Sequence, residues 1–252
     1  MEWMQLANGV KIPQIGYGTY KAVAGEDKQA IRKALELGYR HLDTAAFYGN
    51  EEVVGKSVLE SGIPREDIFI TSKVWRTDMG YDRTMQSFEN SLKRLQLEYL
   101  DLFLIHWPVA VPGNEDWKQL DLDTWRALEQ LYREGRVKAI GVSNFLPHHL
   151  INLFSHGEVM PMVNQLEFHP GYTQWATVEY CKKHNILVEA WSPIGRARVL
   201  QEPLLMEMAE QYGKSIAQIC IRFALQCGVV PLPKSASEER MKQNLEVYDF
   251  EI

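Results

Sequence analysis

Asp43, Tyr48, Lys73 and His106 carry between them the side chains that an acid–base site requires. A phenol is a weak acid at neutral pH, with a reference pKa of about 10. An ammonium held against it stabilises phenolate and draws that pKa down, so Lys73 beside Tyr48 would make the tyrosine a proton donor. A lysine inside the apolar run IFITSKV (68–74) needs a partner, because a buried ammonium is costly unless paired. Asp43, in the run HLDTA (41–45), is the natural counter-ion. His106, near the end of LDLFLIHW (100–107), adds a donor that can orient an oxygen and stabilise charge developing on it. Read singly, each has an ordinary explanation: a structural Asp–Lys pair, a core histidine, a tyrosine packed in a loop. Together they require one shared location, and DTAAFYGNEE (43–52) already sets two of them close in the chain.

The elements that would position them follow a regular alternation. Apolar runs occur at 15–20, 41–45, 68–74, 100–107, 139–144, 162–168, 187–193 and 229–235. Between them lie helical patterns, including those at 27–38, 84–97, 123–135, 176–185 and 215–228, several of which stop at Gly or Asn. Strands nearly continuous in Val, Ile, Leu and Phe and separated by helices predict a parallel sheet covered on both faces. Eight such units predict an α/β fold, a (β/α)8 TIM barrel formed as one domain over residues 1–252. A doubly wound sheet is the alternative, and eight comparable units without a linker weigh against it. LANGVKIP, with its Asn8-Gly9 pair, predicts a short N-terminal β-hairpin. In such a barrel reactive groups gather at the C-terminal strand ends, the end of the chain runs on which all four residues lie.

Composition narrows the partners. The chain has 252 residues and a formal net charge of −6, which disfavours nucleic acid and anionic membrane. Three cysteines, Cys181, Cys220 and Cys227, lack metal-site spacing and fit a reduced, cytoplasmic compartment. The N-terminal residues show no signal-peptide pattern, and no apolar run approaches membrane-spanning length. A small-molecule ligand and a monomer are expected. No metal is expected, since an ammonium at the centre would repel a cation.

DTAAFYGNEE, ITSKVW, LIHWP, GVSNF, VNQLEFHP, EAWSPIG and LPKS, in this order, resemble the aldo-keto reductase family in its bacterial form, over nearly the whole chain. The resemblance implies a catalytic tetrad of Asp43, Tyr48, Lys73 and His106, and a barrel binding extended NADPH (NADP+) without a Rossmann domain. No G-x-G-x-x-G follows a strand, consistent with that. The expected reaction is reduction of an aldehyde or ketone, with hydride delivered to carbon and a proton to the developing alkoxide. Histidine at 106 favours simple carbonyl reduction, because the branch of the family that reduces conjugated double bonds carries glutamate there.

The same resemblance implies the cofactor and substrate positions. Ser143, Asn144 and Gln165 match side chains that hold the nicotinamide carboxamide, and Trp191 matches the aromatic that stacks on its ring. Ser192, Pro193, Ile194 and Gly195 match the loop along the pyrophosphate, where backbone amides are the useful donors. Gly18 and Thr19 fall on further cofactor positions. Lys234, Ser235 and Arg240 form a cationic spot suited to a 2′-phosphate, and Gln243 and Asn244 match adenine contacts. Tyr20, Trp75 and Trp107 would wall the substrate cleft. The stretches 109–122 and 195–203 read as short insertions, and a C-terminal segment that closes the pocket in relatives is expected to be missing. Two other classes remain: a nicotinamide-binding regulatory barrel, and a metal-dependent barrel enzyme using Asp43, His106 and His169.

Overall fold

The N-terminal turn forms as its chemistry predicts. In the computed structural model, which describes residues 2–22, 29–109, 113 and 115–252, β1 (Trp3–Gln5) pairs antiparallel with β2 (Lys11–Pro13), Met4 opposite Ile12. Gly9 takes φ +88°, a left-handed conformation that suits glycine. The Asn8 carboxamide accepts from the Val10 N–H at 3.2 Å and donates to the Lys138 carbonyl at 2.9 Å, tying the hairpin to the barrel.

Eight parallel strands follow: β3 (Tyr17–Gly18), β4 (His41–Asp43), β5 (Phe69–Val74), β6 (Leu100–Ile105), β7 (Val137–Ser143), β8 (Val163–Glu167), β9 (Leu187–Trp191) and β10 (Val229–Leu232). Each pairs with its neighbour in chain order. The seam between β10 and β3 is joined by Gly16 N–H to Pro231 O at 3.0 Å and Gly18 N–H to Pro233 O at 3.1 Å. Glycine is required at 16, because an added Cβ would sit 2.4 Å from Leu232 Cδ2 and 2.7 Å from His41 Nδ1. All six residues of β5 and all six of β6 are buried, including Lys73. The predicted (β/α)8 barrel is therefore present, not a doubly wound sheet.

The helices are α1 (Ala30–Glu36), α2 (Glu51–Glu60), α3 (Tyr81–Leu95), α4 (Trp117–Arg133), α5 (Pro147–His156), α6 (Trp175–Lys183), α7 (Pro203–Tyr212), α8 (Ile216–Gln226) and α9 (Glu238–Leu245). Proline opens α5 and α7 at a position where its missing N–H removes no helical bond. Ser215 and Gln218 cap α8 reciprocally. The structure corrects the reading of 109–122 as an insertion, since α4 already begins at Trp117. Buried Leu122, Trp125 and Leu128 continue one apolar stripe through that helix. Residues 110–112 and 114 of that stretch lie outside the described residues, as do Asp27 and Lys28 of the first helical pattern.

Asp121 on α4 is fully buried, and neither carboxylate oxygen has a hydrogen-bond partner among the described residues. Burial pushes its carboxyl up to about 9. A carboxyl whose folded pKa lies above its unfolded value loses stability as pH rises, because the unfolded chain releases that proton first. Asp121→Asn is expected to be more stable than the parent at about pH 8 by roughly 1–3 kcal/mol. The gap should shrink as pH falls and close below about pH 3, where the unfolded chain holds the proton as well. Thermal melts across this range check it, and a pH-independent gap would remove Asp121 as the titrating group.

Candidate active site

The stretch DTAAFYGN is held rigidly before any ligand arrives. Asp43 ends β4, and a short 3-10 turn (Ala46–Tyr48) then presents the tyrosine, closed by Gly49 at φ +64°. Asn50 accepts from Thr44 Oγ1 at 2.7 Å and donates to the Thr19 carbonyl at 2.8 Å, pinning both ends of the turn. Buried Glu51, in the first turn of α2, accepts from Ser72 Oγ at 2.6 Å and Arg94 Nε at 2.7 Å. Lys73, fully buried on β5, donates to Asp43 Oδ1 and Oδ2 at 2.8 and 2.7 Å and to the Thr44 carbonyl at 2.8 Å. It also donates to the Tyr48 hydroxyl at 3.4 Å. The His106 ring lies 5.7 Å from the Tyr48 ring, edge to face. The four residues proposed from sequence converge at one rim.

Their electrostatics depart from the simplest expectation. Burial raises the Tyr48 pKa, Lys73 lowers it, and burial prevails, so the net shift is upward. The expected lowering by Lys73 has the right sign but is outweighed, because the hydroxyl end of this partly exposed ring is enclosed. Tyr48 therefore keeps its proton at neutral pH. Lys73 itself is disfavoured by burial, yet Asp43 and Tyr48 more than offset this and its pKa rises. His106 is pushed down to about 2 by burial, with help from Lys73 and Arg76. It is a neutral imidazole and can donate only through its N–H.

A buried polar layer beneath the four was not anticipated. Gln165 on β8 donates to Asp43 Oδ2 at 2.8 Å and to Glu189 Oε2 at 2.8 Å, which commits both of its N–H bonds. Burial pushes Glu189 on β9 up to about 8, with the Asp43 charge adding to the rise. His41 Nε2 lies 3.6 Å from Glu189 Oε1, but burial pushes that histidine down to about 3. Both groups are driven to neutrality, so this is a contact between uncharged partners and not an ion pair. The sequence held a clue: a glutamate in the apolar run LVEAW is as anomalous as a lysine in FITSKV.

Ser143, Asn144, Gln165 and Trp191 are brought together beside this layer. Ser143 Oγ donates to the Gln165 carbonyl at 2.8 Å, and Asn144 Nδ2 donates to the His106 carbonyl and to Ser143 Oγ, each at 3.0 Å. Asn144 Oδ1 accepts from Trp191 Nε1 at 2.9 Å, fixing the indole. Asn144 itself takes φ +64°, a left-handed conformation that asparagine tolerates. With its donors committed, Gln165 can only accept through its carbonyl oxygen. Ser192 and Gly195 close a tight turn, Gly195 N–H to Ser192 O at 2.8 Å, with Pro193 buried. Ile194 packs into the small apolar cluster around Leu205, and its carbonyl accepts from the Ala197 N–H at 2.9 Å. Thr19 Oγ1 is buried without a partner among the described residues.

The model of the Aldo/keto reductase family matches residues 14–252. This chain belongs to the aldo-keto reductase family. It is 50% identical over 250 residues to a glyoxal reductase of Bacillus subtilis, covering 99% of this chain and 88% of that protein. It is 43% identical over 251 residues to a methylglyoxal reductase of Salmonella typhimurium, covering 99% and 88%. A crystal structure of an aldo/keto reductase from Brucella melitensis matches with a TM-score of 0.93 at 45% identity, covering 100% of this chain and 95% of that one. A Bombyx mori aldo-keto reductase in complex with NADP matches with a TM-score of 0.91 at 35% identity, covering 100% and 89%. The protein is accordingly an oxidoreductase.

Around the mouth of this reductase the aromatic residues form a partial wall. Tyr20 lies 5.0 Å from the Tyr48 ring, and Trp75 lies 5.0 Å from the His106 ring. Trp107 is half-buried beside Arg76. Sequence reasoning missed Phe47, which is 50% exposed and stacks on Trp75 at 3.9 Å. Its position next to Tyr48 was the available clue. At the far end Lys234 and Arg240 are exposed, while Ser235 is bonded to the Ser237 backbone. Gln243 donates to Glu239 at 3.3 Å. Asn244 is buried near the Tyr39 hydroxyl, which itself donates to the Met241 carbonyl at 3.0 Å. His169 hydrogen-bonds the Pro170 carbonyl at 2.8 Å. Among the described residues, no group of three or more His, Cys, Asp and Glu side chains is placed to hold a metal.

Proposed function

We propose that this enzyme reduces aldehydes and ketones to alcohols with NADPH, Tyr48 donating the proton. The observation that carries the reading is Lys73 Nζ, held by both Asp43 oxygens and reaching the Tyr48 hydroxyl at 3.4 Å, at the same rim as His106. Bound at this mouth, NADPH supplies the hydride that the carbonyl carbon receives. Tyr48 holds a proton ready, and Lys73 stabilises the phenolate as that proton leaves. Neutral His106 donates to the substrate oxygen and fixes its direction. Names of two relatives, a glyoxal and a methylglyoxal reductase, favour small carbonyl compounds.

The residues present fit the cofactor. The free acceptor on Gln165 suits an amide N–H, the Trp191 face is fixed for stacking, and the unpartnered Thr19 Oγ1 offers a buried polar contact. Gly18 would share that contact through its backbone, and the 192–195 turn would follow the pyrophosphate. Exposed Lys234 and Arg240, with Ser235, would meet the 2′-phosphate. Gln243 would face adenine, and Asn244, turned inward onto Tyr39, would steady α9 beneath it. The same reading takes the enzyme as a cytoplasmic monomer, one barrel over residues 1–252, with its three cysteines unpaired.

The test is loss of NADPH absorbance with a generic aldehyde, with and without a chelator. Oxidation that survives chelation supports reduction at this site. Cofactor binding without oxidation, for any member of a carbonyl panel, would favour a regulatory barrel instead. Arg240→Ala is expected to weaken NADPH by about tenfold, the loss of one charge-assisted contact, while NADH changes little. Equal losses for both cofactors would remove Arg240 from the phosphate contact.

A further inference from the structure

The turn that follows β5 carries a cation the proposed reduction does not use. The Arg76 guanidinium lies over the Trp107 ring at 4.6 Å and the Trp75 ring at 5.6 Å. It is near enough to His106 to help depress that imidazole. Its Nε is buried with no hydrogen-bond partner, and among the described residues the guanidinium makes no ion pair. Asp78, the nearest acid in sequence, is committed elsewhere, accepting from Thr77 Oγ1 at 3.0 Å and Ser87 Oγ at 3.2 Å. Lys73, the buried cation of the site, is balanced by Asp43.

An arginine presents five donors and no acceptor, and leaving a buried one unmade is costly. Both indoles lie within cation–π reach of this group, a contact that engages a guanidinium through its face and not its edge. That edge is the part of a guanidinium that pairs with a carboxylate through two parallel bonds. In a chain of net charge −6, an unbalanced cation at the mouth also draws anions toward it. We infer that Arg76 is a specificity-determining residue that selects carbonyl substrates bearing a carboxylate. The inference rests on the reading that this mouth reduces carbonyls.

The experiment compares 3- and 4-carboxybenzaldehyde with their methyl esters, reading the acid-to-ester ratio of kcat/KM with NADPH. The acid is expected to be preferred in at least one pair, and Arg76→Gln is expected to lower that ratio about tenfold, the loss of one charged pair. A ratio unchanged by the substitution in both pairs overturns the inference. The wild-type enzyme gives a second reading, because screening by added salt should lower the ratio if a guanidinium holds the acid. A ratio insensitive to salt also overturns it. Turnover of the esters without preference for the acids sinks this inference alone, whereas no turnover of any of the four sinks carbonyl reduction with it.

Discussion

Tyr48→Phe reduces carbonyl turnover by about a thousandfold or more, while NADPH binds with nearly the parental affinity. General acid catalysis is worth roughly 10²–10⁴-fold, and the substitution removes the one hydroxyl that Lys73 contacts. The ring itself stays, with its packing on Tyr20 and against His106, so the cleft keeps its shape. Because burial outweighs Lys73 and raises the phenol pKa, the wild-type donor is protonated throughout the neutral range. Reduction should therefore decline only on the alkaline side of the ordinary tyrosine range, as the phenol loses its proton. Stopped-flow turnover and fluorescence titration of NADPH separate the two effects. Normal turnover in the variant would show that another group delivers the proton.

Lys73→Met is expected to damage both folding and turnover. Asp43 is only 4% exposed, and removing the ammonium would leave it a buried carboxylate held by Gln165 alone among side chains. Breaking one partner of a buried pair costs about 3–5 kcal/mol. The Lys73 pKa is raised, so the pair's stabilisation is complete below the ordinary lysine range and fades only as pH climbs through the folded value. At neutral pH the full loss should appear in denaturant melts. Turnover should fall by about a hundredfold or more, since phenolate would form without its cation. Asp43→Asn in the same chain should recover much of the stability, by removing the uncompensated charge, and none of the turnover. A single variant with turnover within about threefold of the parent would show that Tyr48 needs no ammonium.

Much of the architecture could be read from local pattern. Lys73 stood out because an ammonium has no place in an apolar strand without a partner, and Asp43 was the nearest candidate. The direction of the Tyr48 shift could not be read in that way. It depends on how deeply the hydroxyl is enclosed, and enclosure is produced by strands distant in sequence. Glu189 and Gln165 illustrate the same point from the other side. Each was visible in an apolar run, yet Gln165 donates to both Asp43 and Glu189, joining β8 to β4 and to β9 across the barrel interior. The start of α4 was missed because Trp117 to Leu122 continues the helical stripe past polar residues that read as loop.

Legible in the sequence alone were the eight strand runs, the alternation with helical patterns, the hairpin turn, and Asp43, Tyr48, Lys73 and His106 as candidates. The runs rest on periodicity, the hairpin on turn chemistry and the Asp43–Lys73 pairing on the cost of a lone buried charge, which act over short stretches of chain. Tyr48 and His106 stand out with the help of the family resemblance. Only the tertiary structure decided which polar groups share bonds, that Tyr48 keeps its proton, that Glu189 and His41 meet as neutral groups, and that Arg76 lies unbalanced against two indoles. Those outcomes follow from barrel closure, because closure sets desolvation and brings together partners that no local window of the chain contains.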